Sequence, residues 1–379
     1  MKAPVRITPP VAESAGPPGE DHVLVVEDLT VRLPTETGLV DVVRGLNLTL
    51  RRGETLSVVG ESGSGKSVTA LAIMGLLPKH SVVTGSIKLA GRELVGASEN
   101  ALRAVRGNNL AMIFQDPMSS LNPVMRVGPQ IAEAVRAHGS VTRAEAADRA
   151  VELLTLVGVP NAEERAQDYP HQYSGGMRQR VVIAIAMANR PDVIIADEPT
   201  TALDVTVQAQ VLESLAKAQS ESGAAMLLIT HDLGVVASLA DRVLVMYAGR
   251  AVELGTADEV FYDTRMPYTV GLLGSVPRLD ARRGSTRLTP IPGAPPTVDR
   301  ESSGCSFAPR CPMASPPCDT RPKLLPVGAA GHLAACHFTE RLAGVAPADL
   351  FGRGAPSQRS AHREGPGLML DSIQEETRG

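Results

Sequence analysis

A glycine-rich segment at residues 60–67, GESGSGKS, constrains this chain more than any other feature. A segment typical of a buried strand, residues 55–59, precedes it, and a stretch with helical periodicity, residues 66–77, begins at its end. Glycines let backbone N–H groups approach phosphate oxygens, and the N-terminus of a helix adds a favourable dipole. The segment therefore predicts a strand–loop–helix unit that binds nucleotide phosphates through Gly60, Glu61, Ser62, Gly63, Ser64, Gly65, Lys66 and Ser67.

Two residues at the end of this loop have individual predicted roles. The Lys66 ammonium is expected to reach the β- and γ-phosphates, and the Ser67 hydroxyl is expected to ligate Mg²⁺. The alternative is a chance glycine-rich turn in front of a helix. The buried-type strand directly ahead of the loop argues against that alternative.

Two acidic residues follow a second apolar strand. Residues 193–196 are apolar and lead directly into Asp197 and Glu198. Asp197 at the strand end suits a contact with Mg²⁺, and Glu198 is placed to orient and deprotonate an attacking water. A pair of solvated acids at the start of a loop is the simpler explanation, but the apolar strand ahead of them makes it less attractive.

Gln115 and His231 also come directly after strand-like runs, residues 110–114 and 225–230. Alone, they would be interpreted as a loop glutamine and a structural histidine. Beside the other motifs, we expect His231 to contact the γ-phosphate and Gln115 to sense the γ-phosphate and Mg²⁺. The predicted catalytic residues are thus Glu198, His231 and Gln115, and the predicted Mg²⁺ ligands are Ser67, Gln115 and Asp197.

The order of elements around these motifs predicts an α/β fold. Strand-like segments at residues 23–26, 40–43 and 46–50 indicate an antiparallel β-subdomain. Amphipathic stretches in residues 116–190, one with a capping-box sequence at 142–145, indicate a helical subdomain. Strands and helices then alternate as far as residue 246, which is typical of a largely parallel sheet.

Composition narrows the classes of partner. The 379 residues carry a formal net charge of −4, without the basic excess of nucleic-acid-binding proteins, so no nucleic-acid partner is expected. No apolar run approaches the roughly 18 residues of a membrane span. Residues 1–20 are rich in Pro and Gly and lack an apolar signal core, which predicts a disordered leader.

Taken together, these motifs resemble those of the ATP-binding-cassette (ABC) ATPases over about residues 23–275. Residues 60–67 look like the Walker A motif, Gln115 the Q-loop, Asp197 and Glu198 the Walker B motif with its catalytic Glu, and His231 the switch His. SGGMRQ at 174–179 looks like the signature, and Ala202, Leu203 and Asp204 look like the D-loop. The resemblance implies a P-loop NTPase fold of the ABC type, with an antiparallel β-subdomain and a helical subdomain, and ATP and Mg²⁺ as cofactors.

In this family two nucleotide-binding domains close head to tail, and the signature of one covers the ATP of the other. The resemblance therefore implies a further group of ATP-binding residues that act on a partner's nucleotide. These residues are Ser174, Gly175, Gly176, Gln179 and Asp204. It also implies that a lone subunit hydrolyses ATP slowly at best.

A finer resemblance connects the chain to the ATPases of oligopeptide and dipeptide importers. It is carried by YPHQY at 169–173, FQDP at 114–117, PYT at 267–269 and IPGAPP at 291–296. It implies an ATPase at the cytoplasmic face of the cell membrane that powers peptide import. Its implied partners are a second, distinct ABC ATPase subunit, two transmembrane permease subunits and an extracytoplasmic substrate-binding protein. Nickel importers share the pattern, so nickel or another small solute stays open as cargo, as do a soluble non-transport ABC ATPase and a metal- or redox-sensing module.

The chain's four cysteines, Cys305, Cys311, Cys318 and Cys336, all lie in one short region. Intervals of 5, 6 and 17 residues separate them, so the closely spaced pair of a structural zinc site is missing. A 4Fe–4S cluster accepts more varied spacing, and the importer resemblance favours it. Zinc, and unliganded thiols or disulfides, stay open as alternatives, with His332 and His337 as reserve metal ligands.

Prolines accumulate after about residue 275 and exclude long helices there. The predicted organisation is a disordered leader at 1–20, an ABC ATPase domain at 21–275, a small irregular Pro- and Cys-rich C-terminal domain at 276–339 and a flexible tail at 340–379. The cysteine site is expected to stabilise the C-terminal domain, because a segment of that size buries little core of its own.

Overall fold

The structure, a computed structural model, describes residues 21–36, 38–201, 203–275, 289–296, 303–328 and 331–352, except for the side chain of Met118. The predicted leader and residues 353–379 of the predicted tail lie outside this part of the chain. The predicted boundaries at residues 20, 275 and 339 therefore stay predictions.

The strands of the described residues form two sheets. In chain order they are β1 (His22–Thr35), β2 (Gly38–Arg51), β3 (Thr55–Val59), β4 (Val82–Leu89), β5 (Arg92–Glu93), β6 (Leu110–Ile113), β7 (Val193–Asp197), β8 (Ala225–Ile229), β9 (Arg242–Tyr247), β10 (Arg250–Thr256), β11 (Leu325–Pro326) and β12 (Leu333–Ala334).

The α-helices of the described residues lie between or after these strands along the chain. In chain order they are α1 (Lys66–Met74), α2 (Glu99–Val105), α3 (Pro117–Ser120), α4 (Val127–Arg136), α5 (Arg143–Leu156), α6 (Ala162–Arg165), α7 (Gly175–Ala186), α8 (Val205–Ser222), α9 (Leu233–Leu239), α10 (Ala257–Tyr262), α11 (Pro267–Gly274) and α12 (Pro347–Phe351). Among the described residues, no helix combines the length and apolar character needed to cross a membrane.

The larger sheet has the strand order β11-β12-β10-β9-β3-β8-β7-β6. The five strands from β9 to β6 are parallel to one another, whereas β10 pairs with β9 in the antiparallel direction. Every residue of β3, β7 and β8 is buried, as expected for parallel strands that helices cover on both faces. This sheet confirms the predicted α/β class and brings the carboxyl ends of β3, β6, β7 and β8 to one edge.

The smaller sheet is antiparallel, with the order β2-β1-β4-β5. It corresponds to the predicted β-subdomain, but the two segments predicted at 40–43 and 46–50 form one continuous strand, β2. Register shifts in the β1–β2 ladder absorb the residues that interrupt the alternation of polar and apolar side chains.

The connection from β6 to β7 contains helices α3 to α7, which make up the predicted helical subdomain. Thr142 caps α5, and its side chain and that of Glu145 make both hydrogen bonds of the predicted capping box. Apolar side chains of α4, α5 and α7, among them Ile131, Leu154 and Val181, form a common core with the sheet.

The C-terminal region differs from the prediction. The small, separate Cys-rich domain is not confirmed, because β12 pairs with β10, and β11 with β12, so both strands extend the larger sheet. Phe307, Cys305, Cys311 and Cys336 pack in a core that also contains Val59, Val245 and Tyr268 from residues 21–275. A core shared in this way makes the described C-terminal residues part of the same body.

Candidate functional site

The glycine-rich loop connects β3 to α1 at the carboxyl edge of the larger sheet. Gly60 has a φ of +152°, and a Cβ added there would lie 2.2 Å from the carbonyl oxygen of Met246 on β9. Gly65, with a φ of +101°, is the N-cap of α1. Gly60 is thus required because the loop lies close to β9, and Gly65 because the backbone there is left-handed. The loop leads directly into the N-terminus of α1.

Lys66 lies across this loop. Its Nζ donates to the carbonyl oxygens of Gly60 at 2.7 Å and Glu61 at 3.0 Å. Burial lowers the pKa of Lys66, while the carboxylates of Glu198, Asp197 and Glu61 act in the opposite direction. The Lys66 ammonium is therefore held near the loop carbonyls, the carboxylates of Glu198 and Asp197 and the N-terminus of α1.

Ser67 and Asp197 meet at the ends of the loop and β7. The Ser67 hydroxyl donates to Asp197 Oδ1 at 3.0 Å. Burial raises the pKa of Asp197, and Glu198 adds to the shift, while the bond from Ser67 and the charge of Lys66 oppose it. A hydroxyl and a carboxylate are oxygen donors of the kind that Mg²⁺ prefers, so this pair fits the predicted ion in its chemistry.

Two of the predicted catalytic residues, Gln115 and His231, contact the carboxylate of the third, Glu198. Gln115 Nε2 donates to Glu198 Oε2 at 3.2 Å, and His231 Nδ1 lies 3.2 Å from Glu198 Oε1. Thr201, which the sequence analysis did not identify, donates its hydroxyl proton to Oε2 at 2.9 Å. Glu198 has a left-handed backbone with a φ of +48°, a strained conformation for a residue with a side chain, of the kind that clusters at functional sites.

The signature residues form the N-terminus of α7. Ser174 is its N-cap, and both Ser174 and Gly175 are exposed. Gly176 is buried against Val207, and Asp204 caps α8 through hydrogen bonds from the backbone N–H groups of Thr206 and Val207. Gln179 is only 1% exposed, so the structure does not place its side chain on the surface that Ser174 and Gly175 form.

Two residues from beyond the loop contact it and were missed by the sequence analysis. Arg310 pairs with the Glu61 carboxylate at 2.6 and 2.9 Å, and the hydroxyl oxygen of Tyr268 accepts from the Glu61 backbone N–H at 2.7 Å. The separation of 249 positions between Glu61 and Arg310 leaves no local pattern from which the contact could be predicted.

The four cysteines are free thiols. They lie near enough to one another for their charges to interact, and the Cys305 backbone N–H donates to the Cys318 carbonyl oxygen at 2.8 Å. Burial raises the pKa of Cys311 to about 12 and that of Cys336 to about 11, and the charges of neighbouring cysteines contribute to both shifts. The Phe338 backbone N–H donates to Cys336 Sγ at 3.3 Å. However, within the described part of the chain no group of three or more His, Cys, Asp or Glu side chains is arranged to hold a metal ion.

Comparison with known proteins assigns this architecture to a family. A family model described as "ABC transporter" matches residues 43–201, and one described as "Oligopeptide/dipeptide transporter, C-terminal region" matches residues 252–318. The oligopeptide transport ATP-binding protein OppD of Escherichia coli is 52% identical over 304 residues, which are 80% of this chain and 90% of that protein. The chain belongs to the ABC transporter family, in its oligopeptide/dipeptide branch. The branch assignment agrees with the finer resemblance in the sequence.

Other members of the family extend the comparison. OppD of Mycobacterium bovis is 55% identical over 330 residues, which are 86% of this chain but 54% of that protein, so the chain spans about half the length of this relative. A solved ATP-binding cassette, MJ0796, described as a dimer in a post-hydrolysis state bound to ADP and Pi, has 26% identity and a TM-score of 0.55. That match covers 62% of this chain and 98% of the cassette.

Proposed function

We propose that this chain is the ATP-hydrolysing subunit of a complex that imports di- or oligopeptides through a membrane permease. The observation that carries the ATPase proposal is the Glu198 carboxylate, held by Gln115 and His231 beside the Ser67–Asp197 pair. The names of the relatives, which are oligopeptide and dipeptide transport ATP-binding proteins, support the cargo.

The geometry supports hydrolysis with Glu198 as general base. Glu198 accepts a proton from the attacking water as the water oxygen bonds to the γ-phosphorus and the bond to the ADP oxygen breaks. Gln115, His231 and Thr201 fix the direction of the carboxylate. Lys66 and the backbone N–H groups of the loop stabilise charge on the phosphoryl oxygens. Ser67 and Asp197 would hold the Mg²⁺, which supplies further charge neutralisation when bound.

Glu198→Gln is the test of this mechanism. The amide keeps the size of the side chain but accepts no proton, and loss of a general base costs about 10²–10⁴-fold in rate. We expect ATP affinity to stay close to that of the parent and turnover to fall at least about 10²-fold. Both are measured on the assembled complex, by ATP binding and phosphate release.

Glu221→Gln is a matched control, because Glu221 is exposed near the C-terminal end of α8. This control should hydrolyse ATP at the parental rate. Near-parental turnover in the Glu198→Gln complex would refute Glu198 as the base.

The exposed Ser174 and Gly175 support a head-to-tail dimer in which this signature contacts ATP on a second ABC ATPase subunit, a distinct chain. The further proposed partners are two transmembrane permease subunits and an extracytoplasmic binding protein, and they would place this chain at the cytoplasmic face of the membrane. Affinity purification from gently solubilised membranes, followed by mass spectrometry, tests this set. Recovery with ribosomal or DNA-repair proteins alone would contradict it, and an associated nickel-binding protein would favour nickel as the cargo.

We further propose that Cys305, Cys311, Cys318 and Cys336 bind a 4Fe–4S cluster, with zinc as the alternative. Four neighbouring thiols and the N–H···S bond at Cys336 support a site liganded by thiolates. Because the described side chains are not arranged around a common centre, the thiols must turn on binding. Iron, sulfide and zinc analysis of anaerobically purified protein, with Cys311→Ser as comparison, tests the proposal, and metal-free folded protein would contradict it.

A further inference from the structure

Arg310, a residue of the C-terminal region, forms an ion pair with the phosphate-binding loop. Arg310 Nη1 donates to Glu61 Oε2 at 2.6 Å, and Nη2 donates to Oε1 at 2.9 Å. Both carboxylate oxygens of the second loop residue are therefore paired with one side chain. A bidentate pair of this kind fixes the orientation of the carboxylate as well as its distance.

Arg310 is itself held firmly by the C-terminal region. It is 7% exposed, and its Nε donates to the carbonyl oxygen of Pro292 at 3.0 Å. Its guanidinium carbon lies 5.9 Å from the ring centroids of both Tyr247 and Phe307. The loop thus meets a cation whose position is set by other parts of the chain.

Glu61 connects Arg310 to Lys66, the lysine predicted to bind phosphate. The Glu61 carbonyl oxygen accepts from Lys66 Nζ at 3.0 Å and from the Ser64 backbone N–H at 3.2 Å. Its backbone N–H donates to the hydroxyl of Tyr268 at 2.7 Å. Displacement of Glu61 would therefore move the bonds that hold Lys66 and the turn at Ser64.

The Arg310–Glu61 ion pair also reduces an unfavourable electrostatic interaction at the loop. Glu61 is an acidic residue in a loop whose predicted ligand is a polyanion, and its charge acts on Lys66. An unpaired Glu61 carboxylate would repel phosphate oxygens and compete with them for the Lys66 ammonium. Arg310 pairs with both carboxylate oxygens and so neutralises this charge.

We propose that Arg310 is a positioning residue for nucleotide binding, which acts through Glu61 to keep the phosphate-binding loop neutral and in place. This inference rests on the proposed ATP-binding function. It makes the C-terminal region a working part of the nucleotide site, although Arg310 itself contacts the loop rather than the reacting atoms.

The experiment is a double-mutant cycle on the full chain, with Kd for a fluorescent ATP analogue as the readout. Arg310→Met should weaken binding about tenfold or more, because it leaves a partly buried carboxylate unpaired beside the phosphates. The same change in a Glu61→Gln background, where no charge is left unpaired, should cost less than about threefold. A merely structural role for Arg310 would give equal losses in both backgrounds.

Arg265→Met is the matched control. Arg265 makes a similar pair of hydrogen bonds with Asp263, at 3.0 and 2.9 Å. Both residues are distant in sequence from the loop. Loss of Arg265 should leave ATP binding unchanged. If Arg310→Met does not fold, Arg310→Lys carries the same comparison, with an intermediate loss that Glu61→Gln relieves.

Two results would overturn the inference: a folded Arg310→Met protein that binds ATP within about twofold of the parent, or a loss of equal size in the Glu61→Gln background. A parent chain that binds no ATP would instead refute the proposed function. The two failures are therefore distinguishable.

Discussion

Gly60 occupies a position that the neighbouring strand leaves open only to a residue without a side chain. Its φ of +152° and the 2.2 Å between a built Cβ and the Met246 carbonyl oxygen mean that Gly60→Ala must displace the loop or β9. We expect ATP affinity to fall at least about tenfold and stability to fall by about 1–3 kcal/mol. Nucleotide titration and urea unfolding measure the two effects.

Gly63→Ala separates the effect of backbone strain from the effect of a steric clash. Gly63 also has a left-handed φ, +78°, but nothing lies within 4 Å of a built Cβ. This variant should lose less affinity and less stability than Gly60→Ala. Equal losses in the two variants would show that the contact with Met246 is unimportant.

The roles of the site residues stay predictions, but most residues that the structure brings together in the candidate site come from segments with a clear sequence pattern. The glycines, Lys66 and Ser67 lie in one segment, and Gln115, Asp197 and His231 each come at the end of an apolar run. Arg310, Tyr268 and Thr201 were not predictable. Arg310 and Tyr268 reach the loop only through tertiary packing, and a threonine three positions after Glu198 has no distinguishing pattern.

The capping box at the start of α5 is a local stabilising element of the helical subdomain. The Thr142 hydroxyl oxygen accepts from the Glu145 N–H at 3.2 Å, and Glu145 accepts from the Thr142 N–H at 2.8 Å. Thr142→Ala should lower the free energy of unfolding by about 1 kcal/mol, because it removes an N-cap acceptor. Urea unfolding measures this difference.

The control is Thr155→Ala, because Thr155 is exposed near the end of the same helix. Its hydroxyl donates only to the Val151 carbonyl, which the helix backbone already satisfies. It should be nearly neutral or slightly stabilising. If both variants lost the same stability, the effect would belong to threonine in general and not to the cap.

Elements with strong local signals were predicted well, and those that depend on pairing were not. Helix α5 and strands β3, β7 and β8 agree closely with the sequence. The helix predicted at 66–77 ends earlier, at Met74, because Gly75 adopts a left-handed conformation. Strands β11 and β12 have two residues each, too few for a periodic pattern. They form through pairing, β12 with β10 and β11 with β12.

For the assembled molecule, the exposed signature predicts association that depends on nucleotide. With Glu198→Gln to prevent turnover, ATP should promote a complex between this chain and the proposed second ATPase subunit, and ADP should not. Ser174→Arg should abolish the complex by its bulk and charge, while ATP still binds to the loop of the same chain. Light scattering after size-exclusion chromatography measures the mass.

Glu221→Arg adds the same side chain at another exposed site and should leave the complex intact. Association of the Ser174→Arg chain at parental strength would contradict the head-to-tail arrangement. The predicted domain boundaries stay predictions. The pairing of the C-terminal strands with the larger sheet was not predictable from the sequence, since it depends on contacts between residues distant along the chain.

The pairing of β12 with β10 has a consequence for biosynthesis. β10 ends at Thr256, whereas its partner begins at Leu333, so a ribosome exposes the complete parallel sheet well before the strand that covers its edge. During that interval β10 presents free backbone donors and acceptors, the template on which nascent chains aggregate. Truncation between residues 257 and 332 would leave this edge of β10 permanently without β12, and such fragments should accumulate as inclusion bodies.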